Sequence, residues 1–334
     1  MSLAEGPKLA RSFYKTRFYS DCLGVFQGGG CRVAAFAGAH LAAHEAGVRF
    51  SEVAGTSGGA IVAALIAAGA EPEYLLQAVR SINFSDMLGK TREQVFPVKQ
   101  KKHETLWLLC GGKTGSLLNG ALRGGQYSSE PIAQWLELHL CKILNHRGNQ
   151  PVQFDELLLP LYVMASDLTT MRPRIWSVRD TPTASVAHAV RASCSIPLFY
   201  QPVKEGSTLL VDGGLVSNLP HFVFANQKHS EHDRRILCFA LEAEEKDGSP
   251  KDPISYLKRL VSLAIDGATD VQLRFKTDIG KVSITTGSVQ ATDMDKMDKD
   301  IVESLIESGK SATASFIRQE MLGATKLSAA RASA

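Results

Sequence analysis

Residues 23–69 read LGVFQGGGCRVAAFAGAHLAAHEAGVRFSEVAGTSGGAIVAALIAAG, and the order of patterns in this stretch decides the fold. A short apolar run at 23–27 ends in Gly28, Gly29 and Gly30, as a buried strand entering a tight turn does. Small and apolar residues over 33–46 suit a helix packed closely on a sheet, and Gly47 stops it. A second short strand at 50–54 runs through GTSGG into an alanine-rich helix at 60–68, which Gly69 ends. Strand, helix, strand, helix in that order predicts a parallel sheet with helices on its faces.

Outward from this core the patterns continue. Strands are expected at 161–166, with 174–177 pairing beside it, and at 208–211, 236–241 and 282–286. Helices are expected at 131–144, 183–193, 257–275 and 301–321. Residues 82–130 mix Phe, Met, Lys and Gly with a weak period and read as an insertion or cap. With no repeat and no low-complexity linker, the chain reads as one α/β domain. Its parts are a basic arm at 1–20, a main α/β unit at 21–242 and a mostly helical flank at 243–334 packed on the same domain.

Composition bounds the function. The 334 residues are 44% hydrophobic and 21% charged with a net charge of +3, an ordinary globular balance that implies no nucleic acid polymer. Lys8, Arg11, Lys15 and Arg17 form one basic cluster, and residues 90–114 carry six Lys or Arg against two Glu. Such patches suit an anionic membrane surface, although a solvated basic face explains them equally. Six scattered cysteines without a C-x-x-C pair read as reduced thiols in a cytoplasmic protein. The longest apolar run, 60–70, falls short of the ~20 residues a membrane span needs, so any lipid is met from the aqueous side.

Three motifs carry chemistry. Gly55-Thr-Ser57-Gly-Gly59 fits G-x-S-x-G, the strand-to-helix elbow that raises a serine hydroxyl at a helix N-terminus. Gly28, Gly29 and Gly30 at another such turn leave backbone N–H groups free to converge on an anion, either a phosphate or the oxyanion of acyl transfer. A dinucleotide fingerprint fails because Val33 stands at its third glycine, and a P-loop at Gly112-Lys113-Thr114 fails because Trp107 stands at its first. Asp212-Gly-Gly214 follows a strand and is read as an acid at the end of a parallel strand, facing the ligand crevice. A histidine base is the usual alternative. However, His221, His229 and His232 lie in a polar stretch, His188 reads as a packing residue, and none ends a late strand. A Ser57–Asp212 dyad fits with fewer misfits, provided a low-dielectric pocket raises the carboxylate's basicity.

At this point the chain resembles the patatin-like phospholipase family over roughly residues 21–242. GGGCRV at 28–33, GTSGG at 55–59 and DGG at 212–214 stand in the family's order, supported by SDLTT at 166–170 and AVRASCSIPLFYQPV at 189–203. The resemblance implies a three-layer fold with a mostly parallel sheet of about six strands between helices. It implies Ser57 as nucleophile, Asp212 as base, Gly28, Gly29 and Gly30 as oxyanion donors and Arg32 as a helper for the oxyanion or a phosphate. No metal or organic cofactor is implied. Val33 departs from the family's usual glycine.

The expected activity is phospholipase A-type cleavage of membrane phospholipids through an acyl-enzyme, in the cytoplasm and peripheral to the membrane when active. Two other readings share the dyad: a small-ester or thioester hydrolase, and a membrane-degrading effector of bacterial antiviral defence. The effector would add a small-nucleotide activator or a homo-oligomer as partner. The segment 103–118, with Trp107 and Leu109 among lysines, is a candidate lipid-interface element.

Overall fold

The apolar run after Asp21 forms β1 (Cys22–Phe26), buried along its whole length, and the second run forms β2 (Phe50–Thr56). The computed structural model describes residues 19–91, 124–224, 234–244, 249–250, 253–273 and 279–332. In it β1 and β2 pair in parallel. They are joined by a 3-10 turn (Gly30–Val33) and α1 (Ala34–Glu45), and β2 leads straight into α2 (Gly58–Ala67). Alanine dominates both helices because each is buried over nearly its full circumference, where larger side chains would hold helix and sheet apart.

The chain continues through α3 (Pro72–Arg80), β3 (Gly125–Tyr127) and α4 (Glu130–Leu144). Next come β4 (Leu161–Asp167), β5 (Arg172–Ser177) and α5 (Val186–Ser193). Three short strands follow, β6 (Leu198–Tyr200), β7 (Val203–Glu205) and β8 (Thr208–Asp212), and then α6 (Gly214–Ser217). Last are β9 (Arg235–Glu242), α7 (Pro253–Leu273), β10 (Ile279–Thr285) and α8 (Lys299–Ala332). The main sheet runs β10-β9-β1-β2-β4-β8-β7, with β5 also on β4, so it has eight strands rather than about six. Of the eight, β7 alone has no counterpart among the expected strands; β5, β7 and β8 are antiparallel to their neighbours, while β10, β9, β1, β2 and β4 are parallel.

The carboxyl ends of the parallel strands define one end of the sheet. Beneath it Phe26 stacks on Phe239 with ring centroids 4.9 Å apart, and Phe36 and Phe50 meet the Phe26 ring edge-on. α8 lies along α1 closely enough that a Cβ on Gly38 would fall 1.9 Å from the Ile306 carbonyl oxygen. Glycine is required there by the approach of the two backbones.

One sequence expectation is corrected. Asp212 does not end a parallel strand: β8 runs antiparallel to β4, with Asp212 opposite Ala165. Strand direction depends on how the chain returns, and an apolar run carries no sign of it. The basic arm, the segment with Trp107 and Leu109, and His229 and His232 lie outside the described residues.

Candidate active site

Two strands meet head-on along one edge of β4. β2 occupies the first half of that edge, ending with Thr56 opposite Met164. β8 comes from the other direction and occupies the second half, ending with Asp212 opposite Ala165. Successive residues of β4 therefore face the last residue of β2 and the last residue of β8. Both chains must leave the sheet at this point, and both do so abruptly. β2 turns at Ser57, whose φ of 52° and ψ of −129° are strained for a side-chain-bearing residue, by roughly 1–3 kcal/mol. β8 turns at Gly213, where a Cβ would fall 2.2 Å from the Met164 carbonyl oxygen. The collision of the two strand ends brings the Ser57 hydroxyl and the Asp212 carboxyl together.

Both groups are out of water: Ser57 is 4% exposed and Asp212 2%. Burial pushes the Asp212 carboxyl up to about 6, against the hydrogen-bonding pull of the Ser57 hydroxyl and the Gly214 N–H. Gly214 N donates to Oδ1 at 2.7 Å. Oδ2 is buried and meets no donor at full hydrogen-bond geometry. The Ser57 hydroxyl is thus near enough to affect the carboxyl without closing a tight bond, as unliganded acid–base pairs often stand. Among the described residues no imidazole contributes to the Asp212 environment. His221 is buried with its ring Nδ1 3.0 Å from the Leu219 carbonyl, and His188 is half-buried with its pKa lowered chiefly by burial.

The glycine loop lies against this pair. A Cβ on Gly28 would stand 3.3 Å from Ser57 Cβ, and one on Gly58 would stand 3.1 Å from Gly30 N. The loop's N–H groups are not equivalent. Gly28 N donates to the Asn218 carbonyl at 2.9 Å. Among the described residues the N–H groups of Gly29 and Gly30 make no hydrogen bond. Arg32 is buried, and its Nε donates to the Gly29 carbonyl at 3.1 Å, as does its own backbone N–H. In a trans peptide C=O and N–H point in opposite directions, so fixing the Gly29 carbonyl also fixes the direction of the Gly30 N–H. One role of Arg32 is therefore to hold the loop. The N-terminus of α2 adds the positive end of its dipole beside Ser57.

Sequence reasoning missed three residues. Ser193, at the end of α5, accepts the Ser57 N–H at 2.8 Å and donates to the Met164 carbonyl at 2.5 Å, so its hydroxyl ties the elbow to β4. Asn218 caps the glycine loop and packs its side chain against Gly28. Cys194 is fully buried beside the pair: burial, then the Asp212 charge, raise its thiol well above the ordinary range, against the Ser57 hydroxyl. All three fall in or just after motifs that the sequence made conspicuous, but only the folded chain shows what they touch. Among the described residues no group of three or more His, Cys, Asp or Glu is placed to hold a metal ion.

Ser193 supports a direct test. Ser193→Ala leaves the buried Ser57 N–H and Met164 carbonyl without their shared partner, at about 1–3 kcal/mol of stability. Loosening the elbow is expected to lower kcat by up to about 10²-fold with little change in KM, and Ser193→Thr to restore part of it. Steady-state kinetics and thermal melts of the two variants check this.

Known proteins resemble this chain over most of its length. The family model for patatin-like phospholipase matches residues 24–225. Protein YqhO of Bacillus subtilis is 30% identical over 312 residues, covering 89% of this chain and 98% of its own. An NTE family protein of Mycobacterium bovis is 31% identical over 218 residues, covering 65% of this chain and 30% of that longer one. Among solved structures, VipD from Legionella pneumophila superposes with a TM-score of 0.56 at 17% identity, over 91% of this chain and 68% of that one, a likeness of fold. The extent of the family match, around a serine elbow and an Asp-Gly-Gly turn that meet in space, places this chain in the patatin-like phospholipase family of serine acyl hydrolases.

Proposed function

We propose that the protein cleaves acyl esters of membrane phospholipids in a phospholipase A-type reaction, with Ser57 as nucleophile and Asp212 as general base. The observation that carries this reading is the head-on meeting of β2 and β8 at Met164 and Ala165, which sets a strained serine against a buried carboxyl of raised pKa. Asp212 takes the hydroxyl proton as Ser57 Oγ forms a bond to the acyl carbonyl carbon. The carbonyl oxygen becomes an oxyanion facing the unengaged N–H groups of Gly29 and Gly30 and the N-terminus of α2. Collapse expels the lysolipid alkoxide, which takes the proton back from Asp212 and leaves an acyl-Ser57 ester. Water then repeats the sequence with Asp212 as base and releases the fatty acid.

The catalytic unit we propose spans 21–242. The flank 243–334 belongs to the same domain, a reading supported by the close packing of α8 on α1. Among the described residues no helix is long and apolar enough to cross a membrane, and we infer action from the aqueous side.

The reading is tested by mass spectrometry of phospholipid vesicles treated with wild type and with Ser57→Ala. Free fatty acid and lysolipid are expected only with wild type, and cleavage restricted to short soluble esters would favour a small-ester hydrolase instead. The pH profile provides a second test. Asp212 must be ionised to accept the proton, so kcat/KM should rise with pH through an inflection near 6 and level off above it. A profile flat from pH 5 to pH 8 would exclude Asp212 as the base.

A further inference from the structure

We propose that Cys31 and Asp293 are positioning residues for the glycine loop. Together with the turn at 288–293, which lies in the flank beyond the catalytic unit, they fix the direction in which the Gly30 N–H points. The proposal rests on the reading above, in which Gly29 and Gly30 face the oxyanion, and it makes that geometry depend on the flank.

Gly30 is pressed between two segments. On one side stands the elbow: a Cβ on Gly58, the residue after Ser57, would lie 2.8 Å from Gly30 O and 3.1 Å from Gly30 N. On the other side stands the turn that follows β10, where a Cβ on Gly30 would fall 2.0 Å from the Ala291 carbonyl oxygen. With φ at 55° and a backbone oxygen that close, the position requires glycine.

The two peptide groups that meet at Gly30 are each tied. Arg32 Nε and N both donate to the Gly29 carbonyl, which holds the Gly29–Gly30 peptide. The flank holds the next one: Cys31 N donates to the Ala291 carbonyl at 3.0 Å. Cys31 Sγ adds a second tie to the same turn, donating to the Gln290 carbonyl at 3.1 Å. Burial pushes this thiol up to about 12, so it keeps the proton it donates. A planar peptide turns as a unit, so the Gly30 N–H cannot swing unless one of these ties opens.

Asp293 shapes the turn that receives Cys31. Its Oδ2 accepts from Gln290 N at 3.0 Å, and its own N–H donates to the Gln290 carbonyl at 3.2 Å. Gln290 is thereby held at both its N–H and the carbonyl that meets the thiol. Oδ1 pairs with Lys296 Nζ at 2.8 Å, but that lysine is largely exposed and the pair is worth little. The family match ends at residue 225, so this support comes from a part of the chain that the match does not reach.

The test uses the full chain with Cys31→Ala in one variant and Asp293→Ala in another. Cys31→Ser and Asp293→Asn serve as conservative partners that keep a donor or an acceptor. On a soluble short-chain nitrophenyl ester each alanine variant should lose about 10–100-fold in kcat with KM within about twofold, and the conservative variants should recover most of the loss. The Ki of a trifluoromethyl ketone, which adds to Ser57 as a bound oxyanion, should rise by the factor by which kcat/KM falls. The inflection near pH 6 should stay in place, since the base is untouched. Partial unfolding would instead remove active molecules and leave the Ki of the remainder unchanged. Unchanged kcat in both alanine variants, or a fall in kcat without a rise in Ki, overturns the proposal. If wild type cleaves no ester at all, the hydrolase reading fails and amide hydrogen exchange over residues 28–33 decides alone. Exchange should be faster in both alanine variants than in wild type, and equal rates would show that the turn does not hold the loop.

Discussion

Replacing Ser57 by alanine should abolish fatty-acid release, a fall of roughly 10⁴-fold or more in kcat, while the protein keeps its fold and its thermal transition. The expectation follows from how little else the hydroxyl does. The structural tie at this position is the backbone N–H to Ser193 Oγ at 2.8 Å, and alanine retains that N–H. Ser57→Gly separates chemistry from conformation. At φ of 52° a Cβ is strained and glycine is not, so the glycine variant should be equally inactive yet more stable than alanine by about 1 kcal/mol. Denaturant melts of the two variants beside lipid assays check both halves. A Ser57→Ala protein that still releases fatty acid, above the level of a blank preparation, would remove Ser57 from the reaction. Equal stability of the two variants would show that the elbow carries no strain, and the account of two colliding strand ends would then lose its energetic consequence.

The parts of this site that were legible in the sequence are those written in short stretches. A glycine-flanked serine between a strand and a helix announces an elbow because strand, turn and helix signals all lie within twenty residues. The three-glycine turn is equally local, and so is Asp-Gly-Gly. Patterns over 23–69 also sufficed for the first two parallel strands and their helices, to within a few residues. Relations between distant segments were not legible. Ser193 reaches Ser57 across 136 positions, and nothing in the run ASCS says that one serine holds a backbone N–H while its neighbour Cys194 lies beside Ser57 and Asp212. The direction of β8 is hidden for the same reason. TLLVD is equally apolar in either direction, and only the β7–β8 hairpin, three residues pairing back at Glu205 and Thr208, turns it against β4. β7 has no counterpart among the strands read from the residues, because at three residues it is below the length at which alternation can be read. Gly28 and Arg32 could be placed near the oxyanion by resemblance, but which N–H remains available depends on Asn218, some 190 residues away, and on the Arg32 side chain folding back on Gly29.

Asp212→Asn is the change for which activity and stability should move in opposite directions. The amide is nearly isosteric and can still accept from Gly214 N through its oxygen, so the turn at Gly213 should hold. It cannot take a proton from Ser57, and kcat should fall by roughly 10⁴-fold, the order seen when an acid that supports a serine nucleophile is amidated. Stability follows from the sign of the pKa shift. The carboxyl rises from 3.8 to about 6 because burial disfavours its charge, so between those values the native state holds the proton more tightly than the unfolded chain does. Stability contributed by this group is therefore greatest in acid and is lost as pH climbs through that window, reaching about 3 kcal/mol by pH 7. Asparagine has no proton to lose. Other carboxylates titrate in both proteins, and their contributions cancel in the difference between wild type and variant. The variant should accordingly gain on wild type as pH rises from 4.5 to 7.5 in paired urea melts, and be the more stable protein at neutral pH. A difference that does not change with pH would mean that Asp212 is not held in a low-dielectric pocket, and without that pocket a carboxylate is too weak a base to activate Ser57.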